Sequence, residues 1–178
     1  VEKPGGDPSR NIEPFYQNIP DSEKSLYWFA YNMNKRGITL DIETSDGKEI
    51  FKKLVKTSDF VIECFPPGYM DELGLGYSVL SQVNPRLIMT AITPFGQKGP
   101  YKDYKGSDLT LLAMAGLLYI TGYPDRPPLR ISFPQAWLLG SSQAAMATLI
   151  AHYEREMRGE GQLVDVSIQA SITWTITN

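Results

Sequence analysis

The chain has 178 residues, 42% apolar and 21% charged, which is enough for one ordinary hydrophobic core. Its formal net charge of −3 gives no basic field for a nucleic-acid backbone, although a local group of lysines could still hold one phosphate. The single cysteine, Cys64, excludes an internal disulfide, no charged-then-apolar leader opens the sequence, and the longest apolar run (109–120) is too short for a bilayer, so a reducing cytoplasmic compartment without membrane contact is expected.

In chain order, residues 1–7 read as the end of a strand running into the Gly5-Gly6 turn. Residues 37–42 alternate apolar and polar side chains and predict a strand. Ser45-Asp46-Gly47 then opens a helix over 48–57, in which Ile50, Phe51, Leu54 and Val55 recur at helical spacing. The nearly all-apolar run 59–64 suits a parallel strand covered on both faces. A short helix at 78–83 leads through Asn84-Pro85 into a strand at 86–93. This β-α-β-α-β order predicts an α/β fold, a Rossmann-like, doubly wound parallel sheet followed by long helices. Ligands of such sheets sit beyond the carboxyl ends of the strands, where the loops 63–68 and 93–100 project. Phe65, in the first of these loops, can stack on a base or simply pin the turn.

Farther along, Ser107-Asp108 is a candidate N-cap for a helix that is apolar nearly all round and therefore expected to be buried. Residues 123–128 form an extended connection. A second long helix is predicted over 138–157, with Leu138, Leu139, Ala145, Met146, Leu149, Ile150 and Tyr153 as its core-facing stripe. Arg155 and Arg158 suit the negative end of its dipole, and Gly159 is its stop signal. Residues 168–178 are apolar and β-branched with no evident cap, so that both ends look like cuts through a larger domain.

Six segments, VEKPGGDPSR, NKRGITLDI, FVIECFPPGYMDELGLGY, NPRLIMTAITPFGQKGPY, TGYPDRPPLR and GEGQLVDVSIQA, follow one another in the order found in the family III CoA-transferases. The chain resembles that family, which includes formyl-CoA and carnitine CoA-transferases and α-methylacyl-CoA racemase, over nearly its whole length. Pro134-Gln135-Ala136 is similar to the benzylsuccinate CoA-transferase branch. The resemblance implies that residues 1–178 are part of a CoA-binding large domain, without its first strand and helix and without the second domain. It implies an acyl-CoA and a carboxylic acid as substrates, no metal, and either an interlocked homodimer or a heteromer with a catalytic paralogue.

The residues match this family unevenly. Its nucleophilic aspartate attacks the acyl-CoA carbonyl, and the position, counted back without a gap from Gln162, falls on Trp137. No Asp or Glu lies between Asp125 and Glu154, and Gln135 is the nearest polar side chain, so no catalytic residue is assigned. Losing a covalent nucleophile costs on the order of 10⁶ in rate. The racemase histidine position falls on Ser107, and the only histidine, His152, reads as an ordinary helical residue. The resemblance carries CoA contacts to Lys3, Leu40, Phe65 and Lys105, while Cys64 replaces an asparagine and Glu72 a nucleotide-contacting arginine. Leu40 and Phe65 can equally be core or turn residues, and Lys3 and Lys105 solvated lysines. Two functions follow: CoA transfer, or a non-catalytic CoA-binding subunit that pairs with an Asp-bearing one. Apolar surface along 109–118 is expected to make the chain associate.

Overall fold

Backbone turns and caps organise the first of two units, Val1–Phe51 and Lys52–Asn178, in a computed structural model that describes residues 1–177. Two short 3-10 turns (Pro8–Asn11 and Tyr16–Asn18) precede helix α1 (Leu26–Asn32), and helix α2 (Ser45–Val55) runs across the boundary between the units. Ser25 caps α1 by accepting from the Trp28 amide, and its own hydroxyl donates to the Ile12 carbonyl at 2.6 Å. Arg10 clasps both Glu2 oxygens at 2.7 and 2.9 Å, reaches Glu23 at 2.9 Å and lies 4.1 Å over the Trp28 ring.

The strand expected at 37–42 is reduced to one parallel bridge, Glu2 to Thr39. Glu2 donates to the Ile38 carbonyl at 2.9 Å and accepts from Leu40 at 2.8 Å, but the ladder goes no further. Pro4 has no N–H to extend it, and Gly5 and Gly6 turn the chain away at positive φ. The helix expected at 48–57 is present as α2, begun three residues earlier.

In the second unit, strands β1 (Phe60–Glu63), β2 (Ile88–Thr93) and β3 (Leu163–Ser167) form a parallel sheet in the order β1-β2-β3. Helices α3 (Tyr69–Glu72) and α4 (Tyr77–Val83) lie between β1 and β2 in sequence, whereas α5 (Asp108–Met114) and α6 (Ala136–Arg158) lie between β2 and β3; α7 (Ile168–Thr175) follows β3. The predicted parallel sheet is therefore present. Residues 168–177, expected to continue without a cap, instead begin α7, because Ser167 accepts from the Ala170 amide.

Helix α6 buries the side opposite to the one expected. Ala136, Gly140, Ala144, Thr148, Ala151 and Arg155 face inward, while Met146, Leu149, Ile150 and Tyr153 are exposed. Small side chains at a spacing of three and four let α6 approach the sheet closely, and residue volume rather than hydrophobicity selects the buried face. Thr148 donates to the Ala144 carbonyl, which leaves its oxygen to accept from Thr90 of β2 at 2.7 Å. Arg155, expected to serve the helix dipole from outside, is only 3% exposed. It donates to the Asp59 and Arg86 carbonyls, each at 3.2 Å, and binds the Asp59 carboxylate at 3.1 Å, so it locks the amino ends of β1 and β2 to the helix. His152, as expected, is an ordinary helical residue; its Nδ1 accepts from Arg155 at 2.8 Å.

The run 109–120 is helical only as far as Met114. Leu111, Leu112 and Ala115 join Ala136, Ile168 and Ile172 in the core where α5, α6 and α7 meet, so the apolar surface expected along 109–118 is largely buried and shows only at residues such as Leu109 and Met114.

Candidate functional site

The segment GEGQ is explained by packing alone. Gly159 ends α6 at φ 83°, and Gly161 passes so close to the β2 entry that an added Cβ would lie 1.9 Å from the Leu87 carbonyl oxygen. The Gly161 amide donates to Pro85 at 2.8 Å, and Gln162 ties its side chain to Glu154 and its carbonyl to Met89. This turn sets the register of β3 against β2.

At the carboxyl end of the sheet, that register aligns Glu63, Ala91 and Asp165 in one row, so their side chains share a face. Asp165 accepts from the Gln97 amide with both oxygens at 3.0 Å, which fixes the loop after β2. Glu63 is 8% exposed and accepts from the Phe65 amide at 2.7 Å. Burial pushes its carboxyl above the usual glutamate range; the Phe65 amide opposes the shift, while Asp71 and Asp165 reinforce it. Beside it lies a cleft of about 460 Å³ whose lining includes Glu63, Asp71, Lys98, Lys102, Tyr77 and Met89.

The four expected CoA contacts fall in different units. Lys3 and Leu40 lie in the first, on neighbouring segments joined by the Glu2–Thr39 bridge; Lys3 is exposed and Leu40 half-buried. Phe65 and Lys105 lie in the second. Phe65, 39% exposed, follows β1 with its ring centroid 4.8 Å from that of Tyr69. Lys105 is exposed in the loop before α5 and does not line the cleft beside Glu63. Phe65 and Lys105 thus both lie outside the lining of that cleft, which carries two carboxylates and two lysines.

At the start of α6 the structure adds a residue that sequence spacing missed. Gln135, the residue before α6, makes no side-chain cap. Asp108 does so from a distance: its Oδ1 accepts from the Gln135 amide at 2.8 Å and from the Ala136 amide at 2.9 Å. Its Oδ2 is buried without a hydrogen-bond partner, and Arg130 Nε stands 3.7 Å away. Ser107 meanwhile caps α5 in a capping box with Thr110. The dipeptide read as one helix cap therefore serves two helices. Trp137, the position that the family resemblance assigns to the nucleophile, is the next residue along and is 42% exposed. Among the described residues no group of His, Cys, Asp and Glu is placed to hold a metal ion, and no helix is long and apolar enough to cross a membrane.

Residues 1–178 match the family model described as CoA-transferase family III. Over 94% of this chain, the sequence is 42% identical to the succinyl-CoA:(R)-benzylsuccinate CoA-transferase subunit BbsE of Thauera aromatica, covering 41% of that protein. It is 37% identical to the succinyl-CoA–L-malate CoA-transferase alpha subunit of Chloroflexus aurantiacus over 97% of this chain and 40% of that protein. The crystal structure of a CaiB/BaiF family protein from Brucella suis superposes with a TM-score of 0.91 at 34% identity, covering 99% of this chain and 47% of that one. The chain thus spans about two fifths of the length of these curated relatives.

Proposed function

This chain belongs to CoA-transferase family III, and from that premise we propose that the protein carrying it moves CoA from an acyl-CoA to a carboxylic acid, releasing the first acid and forming the second thioester. The observation that carries the proposal is the match of all 178 residues to the family model. The position of Phe65 and Lys105 beyond the carboxyl end of the sheet supports it, and in the first unit the family resemblance makes Lys3 and Leu40 CoA contacts as well. The transferase names of the relatives favour transfer over a purely CoA-binding role.

The reaction needs a carboxylate that attacks the thioester carbon, expels the CoA thiolate and forms a mixed anhydride. Trp137 offers an indole at that position, and two relatives are named as subunits, so we assign this chain to one subunit of a cytoplasmic heteromeric transferase and the nucleophile to a second, aspartate-bearing subunit. The remaining length of the relatives corresponds, in this reading, to a further domain that completes the large one.

The test is CoA exchange by the full-length protein, alone and with an aspartate-bearing paralogue. Transfer only in the mixture is expected, and full turnover by the isolated protein would overturn the division of labour. No transfer with any succinyl-CoA and acid pair in either form would overturn the activity itself. Trp137→Asp alone is expected to leave the isolated protein below about 1% of the mixture, because a carboxylate on this exposed first turn is not thereby aimed at the thioester carbon.

A further inference from the structure

A helix exposes unpaired amides at its start, and those of α6 have no cap of their own. One oxygen of Asp108 takes the Gln135 and Ala136 amides together, across 27 and 28 residues of sequence. An ionised acceptor at this end of a helix also opposes the positive dipole, so both bonds are charge-assisted. Asp108 stands three residues after Lys105 and holds the turn that presents Trp137, so one carboxylate joins two candidate positions that lie 32 residues apart in sequence. Its other oxygen is buried, with Arg130 at 3.7 Å, and offers no free face to a thioester.

We propose that Asp108 is a positioning residue: it clamps the first turn of α6 to the start of α5 and thereby fixes where Trp137 is presented. It acts through the backbone rather than as the nucleophile. The bearing of this clamp on turnover rests on the transfer reading above, whereas the clamp itself does not.

The full-length protein is labelled with 5-fluorotryptophan, and Trp137→Phe identifies the Trp137 resonance. Asp108→Ala is expected to move that resonance. Asp108→Asn, which keeps an oxygen able to accept both amides, is expected to leave it in place. In the complete transferase assembly, Asp108→Ala is expected to lower kcat about tenfold with KM for the acyl-CoA changed by less than about twofold, and Asp108→Asn to recover most of the loss. An unmoved resonance in the alanine variant, an equal shift in both variants, or an unchanged kcat in the alanine variant would overturn the proposal. If the alanine variant does not fold, amide exchange in the unaltered protein decides: Gln135 and Ala136 are expected to exchange at least about tenfold more slowly than uncapped first-turn amides, and unprotected exchange would overturn the clamp. An unaltered assembly inactive with every acid would sink the transfer reading and leave the resonance and exchange measurements to judge Asp108.

Discussion

Two carboxylates show opposite responses to their surroundings. The Arg10 guanidinium bonded to Glu2 holds that carboxyl at about 2, against partial burial that works the other way. A depressed acid contributes stability that is present above the ordinary glutamate value and lost as pH falls toward the folded value. Thermal melts between pH 4.5 and 2 should therefore show a loss of stability that Glu2→Gln removes, and an unchanged acid profile in that variant would contradict the clasp. Glu63 is the reverse case, raised chiefly by burial. Its contribution is present below the ordinary glutamate value and fades as pH rises through the folded one. Glu63→Gln, which can still accept from Phe65, should raise the melting temperature at pH 7 and change little at pH 4. Of the candidate site, Phe65 is picked out by its motif and Trp137 by its distance from Gln162. Asp108 is not, since its partners lie 27 and 28 residues away and no local pattern encodes a cap delivered from another helix.

Strands β1 and β2 and helices α2, α4 and α5 follow from apolar period and punctuation, since each is a local decision. The buried face of α6 does not, because a stripe of Ala, Gly and Thr carries little hydrophobic signal and wins only when a sheet is close enough to reward small volume. The strand at 37–42 fails for a related reason: alternation promises a ladder, but Pro4 and the glycines after it withdraw the partner. GEGQ marks the family resemblance, and its second glycine is a steric requirement. Gly161→Ala should cost about 3 kcal/mol or more in chemical denaturation, since the Leu87 carbonyl that blocks the methyl is itself held in the β2 entry. A loss below about 1 kcal/mol would show that the turn can yield.

For the whole molecule, the apolar surface that matters is on α6 rather than along 109–118. Leu149, Ile150 and Tyr153 are 62% or more exposed, with Met146 and Met157 extending the stripe at helical spacing. Residues 1–178 by themselves should associate as concentration rises, and Ile150→Glu with Tyr153→Glu should reduce the mass seen by light scattering; a monodisperse monomer before substitution would refute this. The sheet has a further implication, for biosynthesis. Strand β2 receives β1 across 28 residues, Phe60 to Ile88, but waits for β3 across 74, Met89 to Leu163. At translation speeds of about 5–20 residues per second that interval lasts roughly 4–15 s, during which the central strand leaves the ribosome with one side unpaired. A nascent chain in this window is a natural client for a chaperone, and slowing the ribosome between those two strands should lower the yield of folded protein.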